Sequence, residues 1–126
     1  MRLAAILLAA AVFFSATAAR AGVPTADADE IRALLASEPG SVLVLDVRTP
    51  GEFALGHIPE AVSIPMSDIP WRLGEIPREK KIVAVCASGA RSGAVTDYLI
   101  EQGYPWVKNY AGGMVDWARK KLPISK

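Results

Sequence analysis

Short apolar runs separated by polar and glycine-containing stretches recur along this chain and predict strands. The runs over 42–45 and 82–85 are continuously apolar, as is typical of strands that are buried on both faces of a parallel sheet. The short segments 61–64 and 106–108 predict two further strands. Each run is followed by a segment with helical or turn signals, so the pattern alternates along the whole chain.

The segments between the strands carry signals for helix starts and stops. Asp27, with Glu30 three residues later, resembles a capping box and predicts a helix through Leu35. Further helices are predicted over 50–55, 91–102 and 114–121, and the segment 67–74, which contains a proline, is predicted as a helix or an irregular turn. This alternation predicts an α/β domain whose mainly parallel sheet is flanked by helices on both faces.

The first 21 residues read as a secretory signal peptide. Arg2 supplies the positive start, the 12 residues over 3–14 are all apolar, and Ala19-Arg20-Ala21 resembles a cleavage site. Twelve apolar residues are too few for a membrane-spanning helix, which needs about 20; the alternative is an uncleaved short anchor. The sequence therefore predicts an exported, periplasmic protein in which 1–21 are removed and 22–126 form a single domain.

The composition of this domain indicates which classes of binding partner to expect. Without Arg2 and Arg20 the 14 basic residues become 12 against 13 acidic ones, a formal charge of −1. A nearly neutral chain without a basic run gives no support for nucleic acid or a membrane surface as a partner once the signal is cleaved. Apolar stretches beyond the expected core faces are not evident, so a monomer is expected. A metal site is not predicted, because one cysteine and one histidine supply too few ligands. No other cofactor is predicted.

Cys86 is the only cysteine of the chain, and it stands where a predicted strand ends. The run Cys86-Ala87-Ser88-Gly89-Ala90-Arg91-Ser92 follows, and a helix is predicted to start within it. Backbone N–H groups and the positive end of a helix dipole would favour a thiolate there. A lone cysteine can also be a small buried hydrophobe. The small loop and the arginine favour a nucleophile.

Four sequence blocks together resemble the rhodanese (sulfurtransferase) family over roughly 28–120. Their order and spacing make a chance match improbable. The blocks are Leu45-Asp46-Val47-Arg48-Thr49-Pro50 with Glu52-Phe53, Gly56-His57-Ile58-Pro59, the Cys86 to Ser92 loop, and Tyr110-Ala111-Gly112-Gly113 followed by Trp117. Signal and size resemble exported single-domain thiosulfate sulfurtransferases. Glu60 departs from the family, which often has glycine after His-Ile-Pro, and this puts the local turn geometry in question.

The resemblance implies sulfur transfer through a persulfide on Cys86. The small anionic donor would be thiosulfate, and a nucleophilic acceptor such as cyanide or a thiol would remove the sulfur. Backbone N–H groups of Ala87, Ser88, Gly89, Ala90, Arg91 and Ser92 would form the nest around the sulfur. The hydroxyls of Ser88 and Ser92 could also donate to it, although Ser92 could equally cap the helix.

The roles of the charged residues stay open at this stage. Arg91 could bind the sulfonate oxygens of thiosulfate or pair with a carboxylate and brace the loop. Asp46 and Arg48 are expected to support the site by holding loops together, and Arg48 could add positive potential near Cys86. For His57 a turn or packing role is favoured over catalysis.

Two other functions remain as alternatives. The domain could carry persulfide to a partner or sense oxidants without fast turnover. A phosphatase or arsenate reductase is disfavoured, because only four residues separate Cys86 from Arg91 and Val85 stands where cell-cycle phosphatases of the family have histidine.

Overall fold

The computed structural model describes residues 22–126, so the predicted signal peptide lies outside the described residues. The strands of this part are β1 (Thr25–Ala26), β2 (Val42–Asp46), β3 (Val62–Ser63), β4 (Lys81–Val85) and β5 (Val107–Tyr110). Its α-helices are α1 (Ala28–Ser37), α2 (Pro50–Leu55), α3 (Ala90–Glu101) and α4 (Gly113–Arg119). Within this range, none of the helices has the length and apolar character that crossing a membrane requires.

The five described strands form one sheet in the order β1-β5-β4-β2-β3, and every neighbouring pair is parallel. The predicted α/β fold with a parallel sheet is therefore confirmed. Strand β1 was not predicted, because two residues are too short to show an alternating pattern. In a parallel sheet the carboxyl ends of all strands lie at the same edge, so Asp46 and Cys86 come to that edge together.

Helices and apolar side chains cover both faces of the sheet. On one face Ile31 of α1 and Trp117 of α4 pack with Val83 of β4. On the other face Leu99 of α3 packs with Ile82, also from β4. Consecutive residues of a strand point to opposite faces, so the continuous apolar run of β4 serves both layers. The strand that precedes Cys86 is thus fixed from both sides.

Segment 67–74, left open by the sequence, is built of two 3₁₀-helices, Met66–Trp71 and Leu73–Glu75. Pro70 lies inside the first of them. The Tyr104 hydroxyl oxygen lies 2.7 Å from the Ile76 carbonyl oxygen and 3.1 Å from that of Leu73, so its one hydrogen ties the segment to the connection between α3 and β5. Proline has no backbone N–H, so Pro70 disfavours an α-helix in this segment but is compatible with a short 3₁₀-helix.

The turn at Glu60 has the geometry that glycine would favour. Its φ is 68°, in the left-handed region, which costs a residue with a Cβ about 1–2 kcal/mol. The departure from the family pattern therefore leaves the turn in place, with glutamate adopting the left-handed conformation.

Candidate active site

Cys86 follows the last residue of β4, and Gly89 turns the chain from this strand into α3. Gly89 has φ 92° and occupies the N-cap of α3. A Cβ at this position would lie 3.0 Å from the backbone carbons of Ala111. Only glycine combines the left-handed conformation with this close approach. The loop around the thiol is therefore tight because residue 89 has no side chain.

The sulfur of Cys86 is enclosed and surrounded by hydrogen-bond donors. The residue is 1% exposed, and Sγ lies 3.1 Å from the Gly89 nitrogen and 3.2 Å from the Ser92 hydroxyl oxygen. Burial raises the pKa of the Cys86 thiol, but the Ser92 hydroxyl and the backbone N–H groups of Ser92, Ser88 and Gly89 together outweigh it. The pKa of Cys86 consequently lies below its ordinary value, as a nucleophilic thiolate requires.

Ser92 lies in the first turn of α3 and is fully buried. Because Gly89 holds the N-cap, the alternative that Ser92 caps the helix is wrong. Its hydroxyl instead faces Cys86 Sγ. Ser88, in contrast, is exposed, and it contributes its backbone N–H to the sulfur's surroundings. The loop residues Ala87 and Ala90 are half-buried and exposed, respectively.

Arg91 forms a two-pronged ion pair with Glu52 of α2. Nη1 and Nη2 donate to the two carboxylate oxygens at 2.7 and 2.9 Å. The Glu52 carboxylate also accepts from the backbone N–H of Thr49, which completes a capping box at the start of α2. The Arg91 hydrogen bond, followed by that of Thr49, lowers the pKa of Glu52 to about 2. The ion pair that was one of the two expected roles of Arg91 is thus present. About a third of each side chain is exposed.

Asp46 and Arg48 form a buried pair at the carboxyl end of β2. Arg48 Nε and Nη2 donate to the two Asp46 oxygens at 3.0 and 2.7 Å. Nη2 also donates to the carbonyl oxygen of Gly56, 2.8 Å away. The Arg48 side chain is 8% exposed, and the Asp46 side chain is 1% exposed. This pair joins the β2 end to the end of α2 and so supports the helix that carries Glu52.

The first turn of α4 is hydrogen-bonded to the Cys86 loop. The N–H groups of Met114 and Val115 donate to the carbonyl oxygens of Cys86 and Ala87 at 2.9 and 3.0 Å. Gly113 has φ 64°, and a Cβ on it would lie 2.6 Å from the carbonyl carbon of Ala87. The sequence pointed to this glycine as part of a family block, but its contact with the thiol loop was not predicted.

Asn109 of β5 is a site residue that the sequence reasoning missed. Its Nδ2 donates to the Gly89 carbonyl oxygen at 3.0 Å, and its Oδ1 accepts from the Ser92 hydroxyl at 2.6 Å. The predicted strand ended at residue 108, so Asn109 was left unassigned. Its position at the carboxyl end of a strand, like those of Asp46 and Cys86, was the signal that could have found it.

His57 lies in a packing environment. Its ring stacks on Phe53 with centroids 3.7 Å apart, and Nδ1 lies 3.0 Å from the Phe53 carbonyl oxygen. Its backbone pairs with Ser125. Within residues 22–126, His, Cys, Asp and Glu side chains form no group of three that could hold a metal ion.

Comparison with known proteins relates this chain to a defined family. Residues 27–120 match the family described as "Rhodanese-like domain". A protein of Allochromatium vinosum named "Sulfurtransferase" is 51% identical over 83 residues, which cover 66% of this chain and 78% of that protein. The human "Thiosulfate:glutathione sulfurtransferase" is 34% identical over 115 residues, covering 80% of this chain and 98% of the human one.

A solved structure shows the same fold. The crystal structure of a rhodanese-like domain protein from Staphylococcus aureus superposes with a TM-score of 0.71 at 36% identity, covering 82% of this chain and all of that one.

Proposed function

Because this chain belongs to the rhodanese-like family, we propose that it is a sulfurtransferase that moves sulfane sulfur from thiosulfate to cyanide or a thiol. The observation that carries the proposal is the environment of Cys86 Sγ, which lies within hydrogen-bonding distance of the Gly89 N–H and the Ser92 hydroxyl. Donors fixed around one sulfur stabilise a thiolate before reaction and a charged persulfide after it. The names of the relatives support the reaction class.

In the first step, the Cys86 thiolate attacks the outer sulfur of thiosulfate. A new S–S bond forms to Cys86, the S–S bond of thiosulfate breaks, and sulfite leaves with the bonding electron pair. In the second step, cyanide or a thiolate attacks the terminal persulfide sulfur. Thiocyanate or a new persulfide leaves, and the Cys86 thiolate returns.

The loop N–H groups would stabilise the persulfide in the same way as the thiolate. Ser88, Gly89 and Ser92 already direct N–H groups toward the sulfur of Cys86. The terminal persulfide sulfur would take its place among these donors, beside the small side chains of Ala87 and Ala90. Preorganised donors of this kind act without rearranging during the reaction.

Arg91 would supply the positive charge that attracts the anionic donor. Its pKa lies above the ordinary value, chiefly because of the hydrogen bond to Glu52, and a charged Cys86 adds to this. Glu52 holds the guanidinium in place and leaves part of it exposed. We therefore assign Arg91 both roles that the sequence left open, with the carboxylate fixing the orientation in which the donor meets the cation.

The direct test is the intact mass of residues 22–126 after treatment with thiosulfate. One additional sulfur, about 32 Da, is expected on the wild type, removed by cyanide and absent from Cys86→Ser, because the bond forms on that thiol. Gly40→Ala is the control, since a Cβ at Gly40 would have no atom within 4 Å and Gly40 precedes β2, at the other end of the strands from Cys86. A folded, reduced wild type that gains no sulfur would refute thiosulfate as the donor.

Steady-state thiocyanate formation separates an enzyme from a carrier. Many turnovers per protein with thiosulfate and cyanide are expected of a sulfurtransferase. A single loading that is released only to a protein partner would instead establish the carrier alternative.

We also propose that residues 1–21 direct export and that the mature chain begins at Gly22. The support is the sequence pattern alone: a basic start, an apolar segment and an A-x-A site. The mass of the protein recovered from the periplasm of an expressing bacterium checks this. Recovery of the full-length chain from the cytoplasm would contradict it.

A further inference from the structure

The Ser92 hydroxyl has one hydrogen and two neighbouring acceptors. Cys86 Sγ lies 3.2 Å from Ser92 Oγ, and Asn109 Oδ1 lies 2.6 Å from the same oxygen. A hydroxyl donates one hydrogen at a time, although it can accept two more bonds. Ser92 therefore serves either the sulfur or the amide oxygen as a donor.

The orientation of the Asn109 amide follows from its second contact. The Gly89 carbonyl oxygen can only accept, so the amide group 3.0 Å from it must be the Nδ2 donor. The Asn109 oxygen then has to face Ser92. Two oxygens 2.6 Å apart repel unless a hydrogen lies between them, so this contact draws the hydroxyl hydrogen toward Asn109. The amide is well enclosed, since Asn109 is 6% exposed.

Two arrangements of the hydrogens satisfy the site, one for each charge state of Cys86. In the thiol state the S–H can donate to Ser92 Oγ, and Ser92 donates to Asn109. In the thiolate state the stronger, charged acceptor is the sulfur, so the hydroxyl hydrogen turns to it and Asn109 Oδ1 loses its donor. A buried acceptor without a donor is unfavourable. Asn109 thus opposes the thiolate that Ser92 stabilises.

We propose that Asn109 is a positioning residue that controls the direction of the Ser92 hydroxyl and so sets how readily Cys86 becomes a thiolate. Its role in sulfur transfer rests on the proposed function, whereas its effect on thiol acidity requires no sulfur donor. By resisting full ionisation, Asn109 would keep the resting thiol less reactive toward unrelated electrophiles. Its Nδ2 contact with the Gly89 carbonyl oxygen fixes the orientation of the amide.

Other charged groups near the thiol are held in pairs that a change at residue 109 leaves intact. Arg91 of α3 is bound to Glu52 of α2, and both Cys86 and Asp46 contribute to the electrostatic environment of Arg91. Asp46 is itself bound to Arg48. A change in thiol acidity on substituting Asn109 would therefore report on the hydroxyl.

The test is a pH titration of the Cys86 thiolate by its ultraviolet absorbance, with Cys86→Ser as the blank. Asn109→Leu and Asn109→Ala remove the competing acceptor, so both are expected to lower the thiol pKa by about half a unit. Ser92→Ala is expected to raise it. In the double variant Ser92→Ala/Asn109→Ala, the pKa should equal that of Ser92→Ala, because Asn109 acts through the hydroxyl.

Lys108→Met is the matched control on β5. Lys108 binds Glu30 of α1 at 2.6 Å, so its loss should leave the thiol pKa unchanged. A residue that merely braced the Gly89 turn would give the opposite sign, since loosening the turn removes N–H groups from the thiolate. A raised or unchanged pKa in both Asn109 variants, or an Asn109 effect that persists without Ser92, overturns the proposal.

Circular dichroism establishes that each variant is folded, and the smaller Asn109→Ala replaces Asn109→Leu if leucine does not fit. Ser92→Ala tests the premise that the hydroxyl stabilises the thiolate: a thiol pKa that does not rise in this variant overturns the proposal. Sulfur loading is measured separately by intact mass. Wild type that shows the expected titration without loading would refute the sulfur-transfer function and leave the acidity inference standing.

Discussion

Replacing Gly113 by alanine would test whether α4 holds the Cys86 loop in place. Gly113 has φ 64°, and a Cβ there would lie 2.6 Å from the Ala87 carbonyl carbon and 2.8 Å from the Cys86 carbonyl oxygen, with the Ala87 carbonyl oxygen closer still. These are backbone atoms, which cannot swing aside as the end of a side chain can. Gly113→Ala must therefore push α4 and the thiol loop apart.

The expected cost follows from the local geometry. An alanine in the left-handed region costs about 1–2 kcal/mol. Separation would also weaken the hydrogen bonds from Met114 and Val115 to the loop carbonyls, each contributing about 1 kcal/mol. The free energy of unfolding should thus fall by about 3–4 kcal/mol, a large share of the 5–15 kcal/mol typical of a domain.

Urea unfolding followed by tryptophan fluorescence measures this change, because Trp117 of α4 is buried. Gly40→Ala is the matched control: its Cβ would have no atom within 4 Å, and it precedes β2 at the opposite edge of the sheet from Cys86. Sulfur loading should drop in Gly113→Ala and not in Gly40→Ala. Equal stability and equal sulfur loading of the two variants would refute the conclusion that the contact between α4 and the Cys86 loop holds the loop in place.

Two further predictions concern the ionic contacts. Arg48→Met should lower the free energy of unfolding by about 3–5 kcal/mol, because it leaves Asp46 buried without its partner. Adding Asp46→Asn removes the unpaired charge and should recover part of this loss in the same urea assay. If stability is not recovered, the loss does not come from the buried charge. The pKa of Glu52 is about 2, against an ordinary value of 4.5, chiefly because of the hydrogen bond from Arg91. A carboxyl whose pKa is lowered by folding stabilises the fold at pH values above its ordinary pKa. The free energy of unfolding should therefore decrease as the pH falls from about 4.5 to about 2, and it should decrease more steeply in wild type than in Glu52→Gln. A urea midpoint independent of pH over this range would contradict the Glu52 contact.

Much of the fold was predictable because its signals are local. The apolar runs of β2 and β4 gave the parallel strands, and the residues around Cys86 gave the strand–loop–helix unit. Helix α2 has the predicted bounds, 50–55, because Pro50 and Gly56 mark its two ends. Strand β1 escaped prediction, since its two residues form a strand only through pairing with β5.

The amino-acid sequence alone predicted Cys86 as the candidate nucleophile and the short loop around it, because both depend on neighbours in the chain. Only the tertiary structure decided what the surrounding side chains do. Arg91 meets Glu52 across 39 positions, and Ser92 meets Asn109 across 17, so no local pattern relates either pair. The parallel sheet brings strand ends from distant parts of the chain to one edge. There Gly89 is the N-cap of α3, and the Ser92 hydroxyl lies beside both the Cys86 sulfur and the Asn109 amide oxygen.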